Sequence, residues 1–212
     1  AERFAAQRDR VLAPGRAECD VTDEQSVSAF FEAAGPVDVL VNNAGMAESA
    51  PLHRTTLASW RAHLDVNATG AFLCTRAVVA GMRERGSGAL VTVASIAGRV
   101  GAPYTAAYAA GKHAAVGLMR AVAAELAGSG VTANAVCPAY VDTPMTDRSV
   151  ANIVTRTGRS EQEGRAALAS TSPLGRLLDP AEVAAAVAWL ASPEAAAVNG
   201  QALVIDGGGI QA

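Results

Sequence analysis

Four short apolar runs set far apart, with helix-length stretches between them, constrain this chain more than any other feature. They are "VDVLVN" (37–42), "ALVTVAS" (89–95), "VTANAVCP" (131–138) and the start of "ALVIDGGG" (202–209). Short continuous apolar runs, as opposed to alternating ones, mark strands buried on both faces. Residues from about Leu57 to Arg85 read as one long helix closed by "GSG", and those from Tyr108 to Leu126 as another ending at Gly128. Thr22 with Gln25 three residues on marks the start of an earlier helix, which Gly35-Pro36 stops. Asp179 as cap with Pro180 in the first helical position marks a late one. "AERFAAQRD" reads as the tail of a helix. Strands alternating with helices at this spacing predict parallel βαβ units, hence an α/β fold: a doubly wound, Rossmann-like parallel sheet with helices on both faces. A single domain over 1–212 is expected, with the less periodic segment 144–179 as a mobile lid.

Bulk properties narrow the function. A net charge of −3, with no Lys/Arg cluster, argues against nucleic-acid binding. Cys19, Cys74 and Cys137 are odd in number and far apart, so neither a disulfide frame nor a zinc site is expected, and a reducing compartment fits. No apolar run approaches the roughly 18–20 residues that span a bilayer, and no signal-peptide pattern opens the chain. The expectation is a cytoplasmic protein without a membrane partner. His53, His63 and His113 lack metal-ligand spacing; no metal is expected, and none of the three is assigned a role.

The candidate chemistry begins at "YAAGK". Of 17 cationic residues sixteen are Arg, and the one lysine, Lys112, stands four residues after Tyr108. On a helix the two share a face, about 5–6 Å apart at Cβ. An ammonium beside a phenol favours the phenolate and draws its pKa of about 10 toward neutrality. A lysine stem packed over a ring is the plainer reading of the same pair. Ser95, at the end of a predicted buried strand, stands where open α/β sheets place ligands. "VNNAG" (41–45) follows another such strand and reads as a ligand-approaching turn or an ordinary one. Asn67 sits mid-helix, where Asn is a poor choice, as a functional or a helix-bending residue. Asp20 in "DVTD" reads as an adenine neighbour or a helix cap, and "CPAYVDTPM" (137–145) as a ligand loop or a Pro-bounded connection.

Taken together, Asp20-Val21, Asn42-Asn43-Ala44-Gly45, Asn67, Ser95, Tyr108-x-x-x-Lys112 and Pro138-x-x-x-x-Thr143 resemble, in order and spacing, the classical short-chain dehydrogenase/reductase family. The likeness runs from about residue 18 to the final glycines. It implies an oxidoreductase moving a hydride between NAD or NADP and a small-molecule carbonyl/alcohol substrate, a secondary alcohol or ketone, with 3-hydroxyacyl/3-oxoacyl compounds as a candidate class. It implies Tyr108 as general acid/base, Lys112 lowering the tyrosine pKa and holding the nicotinamide ribose, and Ser95 polarising the carbonyl. Asn67 would hold a water linking Lys112 to solvent. Asp20 and Val21 would meet the adenine, Asn43, Ala44 and Gly45 the ribose, and Pro138, Val141 and Thr143 the nicotinamide side. A homotetramer built through the two long helices and the last strand is implied as well.

Two departures stand out. Ala139 replaces the glycine that follows Pro138 in the family, harmless unless φ there is positive. The glycine-rich turn and first βαβ portion of the family do not precede Ala1, and the expectation is a part of a longer protein, not a true truncation. Arg148, Arg156, Arg159 and Arg165 on the lid would either hold an anionic substrate tail or be solvated surface cations. The rival functions are a non-catalytic dinucleotide sensor or scaffold, and an epimerase or dehydratase that retains its NAD.

Overall fold

The computed structural model describes residues 1–6 and 10–211; of the expected N-terminal helix tail, Glu2–Ala5 form α1 and residues 7–9 lie outside the described residues. Four strands among these residues, β1 (Val39–Asn42), β2 (Gly88–Val93), β3 (Val131–Pro138) and β4 (Ala202–Ile205), pair in parallel in the order β1-β2-β3-β4. All four coincide with the apolar runs, so the Rossmann-like α/β expectation is met.

The period of two along each strand sends successive side chains to opposite faces. Leu90 of β2 and Cys137 of β3 join one core with Val78 and Met82 of α4 (Gly70–Arg85) and Met119 of α5 (Ala106–Glu125). Their neighbours Val91 and Val136 join the other, against Val183, Val187 and Leu190 of α8 (Pro180–Leu190). Leu90, Val91, Val136 and Cys137 are fully buried. At about 1.5–3 kcal/mol for each such aliphatic side chain, this two-sided burial holds the strands in register.

Helix α2 (Glu24–Ala34) starts one residue later than expected: the cap is Asp23, whose carboxylate accepts from Gln25 N–H. Thr22 is engaged instead by Asp20. The long helix after β1 is not uniform. Helix α3 (Leu57–Leu64) passes into a π-helical turn (Asp65–Thr69) before α4 resumes. The segment expected to be a loose lid forms two helices, α6 (Pro144–Thr157) and α7 (Glu161–Ala169). Pro144 opens the first, and Ser160 with Glu163 makes a reciprocal capping box for the second. At α8 the expected Asp179 cap is present, again as a capping box, with Glu182.

Candidate active site

The carboxyl ends of β1, β2 and β3 lie on one side of the sheet, the side on which open parallel sheets hold ligands in a crevice. Asn42, the last residue of β1, is buried and ties the sheet together, donating to Thr75 Oγ1 at 3.1 Å and Thr92 Oγ1 at 3.2 Å. Asn43 and Ala44 then emerge exposed. At Gly45 a Cβ would stand 3.2 Å from Asn67 Oδ1, 3.5 Å from Lys112 Nζ and 3.8 Å from Met145 Cε. The absence of a side chain at that point leaves room for close approach by a ligand. Gly45, Asn67 and Lys112, distant in sequence, thus share one spot.

Ser95 follows β2 in an extended conformation and caps a short 3-10 turn (Ile96–Gly98); its Oγ accepts from Ala97 N–H at 3.1 Å. Its hydroxyl also hydrogen-bonds with the Tyr108 phenol, an interaction that favours the phenolate. Lys112, buried one turn beyond Tyr108, donates to Val93 O at 2.8 Å, and its Nζ lies 5.9 Å from the centroid of the Tyr108 ring.

The electrostatics depart from expectation. Burial pushes the Tyr108 pKa up; the Ser95 hydrogen bond pulls it partly back, and Tyr140 and Cys137 add to the rise. The drop expected from the neighbouring ammonium is not found. Lys112 is itself pushed down to about 8 by burial, countered in part by Cys137. An ammonium that is costly to bury and anchored to the Val93 carbonyl does little to lower the phenol's pKa in this state.

Asn67 is buried in the π turn, and both ends of its amide serve one residue: Oδ1 accepts from Met46 N–H at 3.2 Å and Nδ2 donates to Met46 O at 3.0 Å. π turns recur at functional sites because they offset a helix by one residue. Here the offset lies where α5 crosses: a Cβ on Gly111 would be 3.0 Å from Asn67 Cβ and 3.1 Å from His63 O.

The remaining predicted cofactor residues make local contacts of their own. Asp20 accepts from Thr22 Oγ1 and N–H and from Arg16 Nε; those bonds, Thr22's first, hold its carboxyl at about 2. Val21 packs on α4, 2.8 Å from where a Cβ on Gly70 would stand. Pro138 closes β3. Ala139 does not have positive φ, since Tyr104 is the one non-glycine with that conformation among the described residues, so the extra methyl carries no backbone strain. Val141 bridges to Leu178, and its carbonyl accepts from Thr146 Oγ1 at 2.6 Å; Thr143 precedes α6 without a side-chain capping bond, its hydroxyl donating to Val141 O at 3.4 Å. Of the lid arginines, Arg165 pairs with Asp142 and Asp147 and Arg156 with Asn152, while Arg148 and Arg159 are exposed. Sequence reasoning passed over His63; its position four residues before Asn67, on the same helical face, was the available signal.

Lys112, with three N–H donors of which one goes to Val93 O, stands beside the space at Gly45 and fits a ligand rich in hydroxyls, as a nicotinamide ribose is. Among the described residues, no cluster of His, Cys, Asp or Glu could hold a metal, and no helix is long and apolar enough to cross a membrane.

A family model described as enoyl-(acyl carrier protein) reductase matches residues 1–209. The chain is 43% identical over 194 residues to cis-4-hydroxycyclohexanecarboxylate dehydrogenase of Sinomonas cyclohexanicum, covering 89% of this chain and 74% of that one. It is 37% identical over 193 residues to 3-oxoacyl-(acyl-carrier-protein) reductase of Vibrio cholerae, covering 89% and 75%. A crystal structure of an actinorhodin polyketide ketoreductase variant with NADPH superposes with a TM-score of 0.85 at 40% identity, covering 90% of this chain and 75% of that one. With its parallel sheet, its Tyr108-x-x-x-Lys112 helix and these relatives, the chain belongs to the short-chain dehydrogenase/reductase family of NAD(P)-dependent oxidoreductases.

Proposed function

We propose that this chain reduces the ketone of a small acyl or cyclic substrate to a secondary alcohol, with 3-oxoacyl thioesters as the leading class, and that Ser95, Tyr108, Lys112 and Asn67 carry the proton chemistry. The observation that carries this reading is the gathering of Ser95, Tyr108 and Lys112 at the carboxyl ends of the strands, with the ammonium buried one turn from the phenol. When bound, the nicotinamide supplies the hydride. The chain manages everything else. Tyr108, with its pKa raised, is protonated at neutral pH and suited to give its proton to a developing alkoxide. Ser95 orients the carbonyl oxygen and, through its hydrogen bond with the phenol, steadies the phenolate left behind, while Lys112 holds the nicotinamide ribose. Asn67 and the π turn around it hold the water that refills the proton. Asn43, Ala44, Gly45, Pro138, Val141 and Thr143 bind the nicotinamide half of the cofactor, and Asp20 and Val21 the adenine half. Helices α6 and α7 serve as the substrate lid within a single domain.

A non-catalytic sensor has no use for this proton relay, and an epimerase would keep its cofactor. The test is incubation with acetoacetyl thioester or 4-oxocyclohexanecarboxylate and NADPH or NADH. The expected result is steady loss of reduced nicotinamide with an alcohol product and free oxidised cofactor in solution. Alcohol formed in no more than stoichiometric amount, with the oxidised cofactor kept bound, would favour the epimerase reading, and cofactor binding without turnover the sensor. We further infer a cytoplasmic homotetramer assembled through α4, α5 and β4; a monomer by light scattering would exclude that assembly.

A further inference from the structure

The segment 46–50, which runs from the Gly45 turn out of the crevice, is tied down almost residue by residue. Met46 is held by Asn67, and Ala50 N–H donates to Tyr104 O at 2.9 Å. Asn152 of α6 donates to Ser49 Oγ at 2.9 Å. The middle is held by His63, which has no solvent exposure. Its Nε2 is 3.0 Å from Glu48 N and its Nδ1 2.8 Å from Ser59 O. Both partners are backbone groups, so the tautomer is forced: an N–H can only donate, so Nε2 bears the lone pair, and a carbonyl can only accept, so Nδ1 bears the hydrogen.

His63 and Asn67 are four residues apart on one face and grip alternate residues of the same strap, Glu48 and Met46. Gly111, the neighbour of Lys112, packs against both, 3.1 Å from His63 O and 3.0 Å from Asn67 Cβ at the place its own Cβ would take. Losing the Glu48 grip leaves a part-buried N–H unpaired and loosens the middle of the strap, between the Asn67 anchor at Met46 and those at Ser49 and Ala50.

We propose that His63 is a positioning residue: as the Nδ1–H tautomer it holds the strap at Glu48 and so keeps Asn67 and Gly45 set against Lys112. This rests on the ketoreductase reading for its effect on turnover but not for its effect on the strap. Three substitutions separate the two hydrogen bonds. A glutamine can restore the acceptor to Glu48 N–H, an asparagine the donor to Ser59 O, and a leucine neither.

The experiment measures kcat and KM for acetoacetyl thioester reduction together with amide hydrogen exchange of residues 46–50. His63→Gln should keep kcat within about threefold and leave exchange protection in place. His63→Asn and His63→Leu should lower kcat by about tenfold or more and expose Met46 and Glu48 to exchange, the scale expected for one unpaired buried N–H. The overturning result is a folded His63→Leu protein with undiminished kcat and a protected strap, or an Asn variant equal to the Gln variant in both readouts. If the unsubstituted protein shows no turnover while the exchange pattern follows this order, the ketoreductase reading fails and the strap assignment stands. A Leu variant too unstable to assay leaves the Gln–Asn comparison, which decides the matter alone.

Discussion

Replacing Lys112 by Met should remove a pH response that the stability of the native chain has. The ammonium is buried, and burial lowers its pKa from 10.5 to about 8. Between those values the unfolded chain holds a proton that the folded chain does not, so stability rises with pH across the window. Below about pH 8 both states are protonated and the folded state bears the whole cost of burying the charge. At about 1.4 kcal/mol per pH unit, that cost is on the order of 3 kcal/mol. The methionine has no charge to bury, but it leaves the Val93 carbonyl without the 2.8 Å donor, at a cost of about 1–3 kcal/mol that does not vary with pH. The stability of the variant relative to the native chain should therefore fall by about 3 kcal/mol between pH 7 and pH 10.5. Half-buried Tyr108 and Tyr140 and buried Cys137, whose raised pKa values make stability fall with pH, are common to both proteins and largely cancel in the difference. Urea unfolding of both proteins at several pH values gives the quantity directly. A difference in stability that does not change with pH would show that Lys112 is not desolvated as the structure has it.

Asn67→Ala should expose both polar groups of Met46 and cost about 1–3 kcal/mol in thermal or urea unfolding, with kcat reduced as the strap loosens. Gly98→Ala places a methyl 2.7 Å from the Lys112 carbonyl oxygen, a backbone atom that cannot swing aside; a loss of about 1–3 kcal/mol by urea unfolding and a larger loss of turnover are expected as α5 is pushed back. Asp179→Ala removes the cap of α8 and should lower stability by about 1 kcal/mol, read by urea unfolding, while changing kcat little.

Much of this architecture is legible in local sequence. The four apolar runs gave away the strands because parallel strands are covered on both faces, and the Asp179-Pro180 pair announced α8 because capping depends on a few adjacent residues. The same local chemistry stood unread in the lid, where Pro144 and the Ser160–Glu163 box start α6 and α7. At α2, Thr22 and Asp23 are both good caps, and the choice between them turned on Asp20 taking up the Thr22 hydroxyl. The meeting of Gly45, Asn67, Ser95, Tyr108 and Lys112 was readable through the order of known motifs. What no local pattern carries is the sign of the Tyr108 shift, which is set by how deeply the folded chain covers the ring. Nor does it carry the partner of Lys112, a backbone carbonyl nineteen residues away, or the double grip of His63.

The central claim is that Tyr108 delivers the proton in ketone reduction, and Tyr108→Phe tests it most directly. That variant removes one oxygen from a half-buried ring and should fold and bind NADPH as the native chain does. With acetoacetyl thioester as substrate, its rate of NADPH oxidation should be at least about a hundredfold lower, the ordinary contribution of a placed general acid. A Phe variant that oxidises NADPH at the native rate would contradict the account.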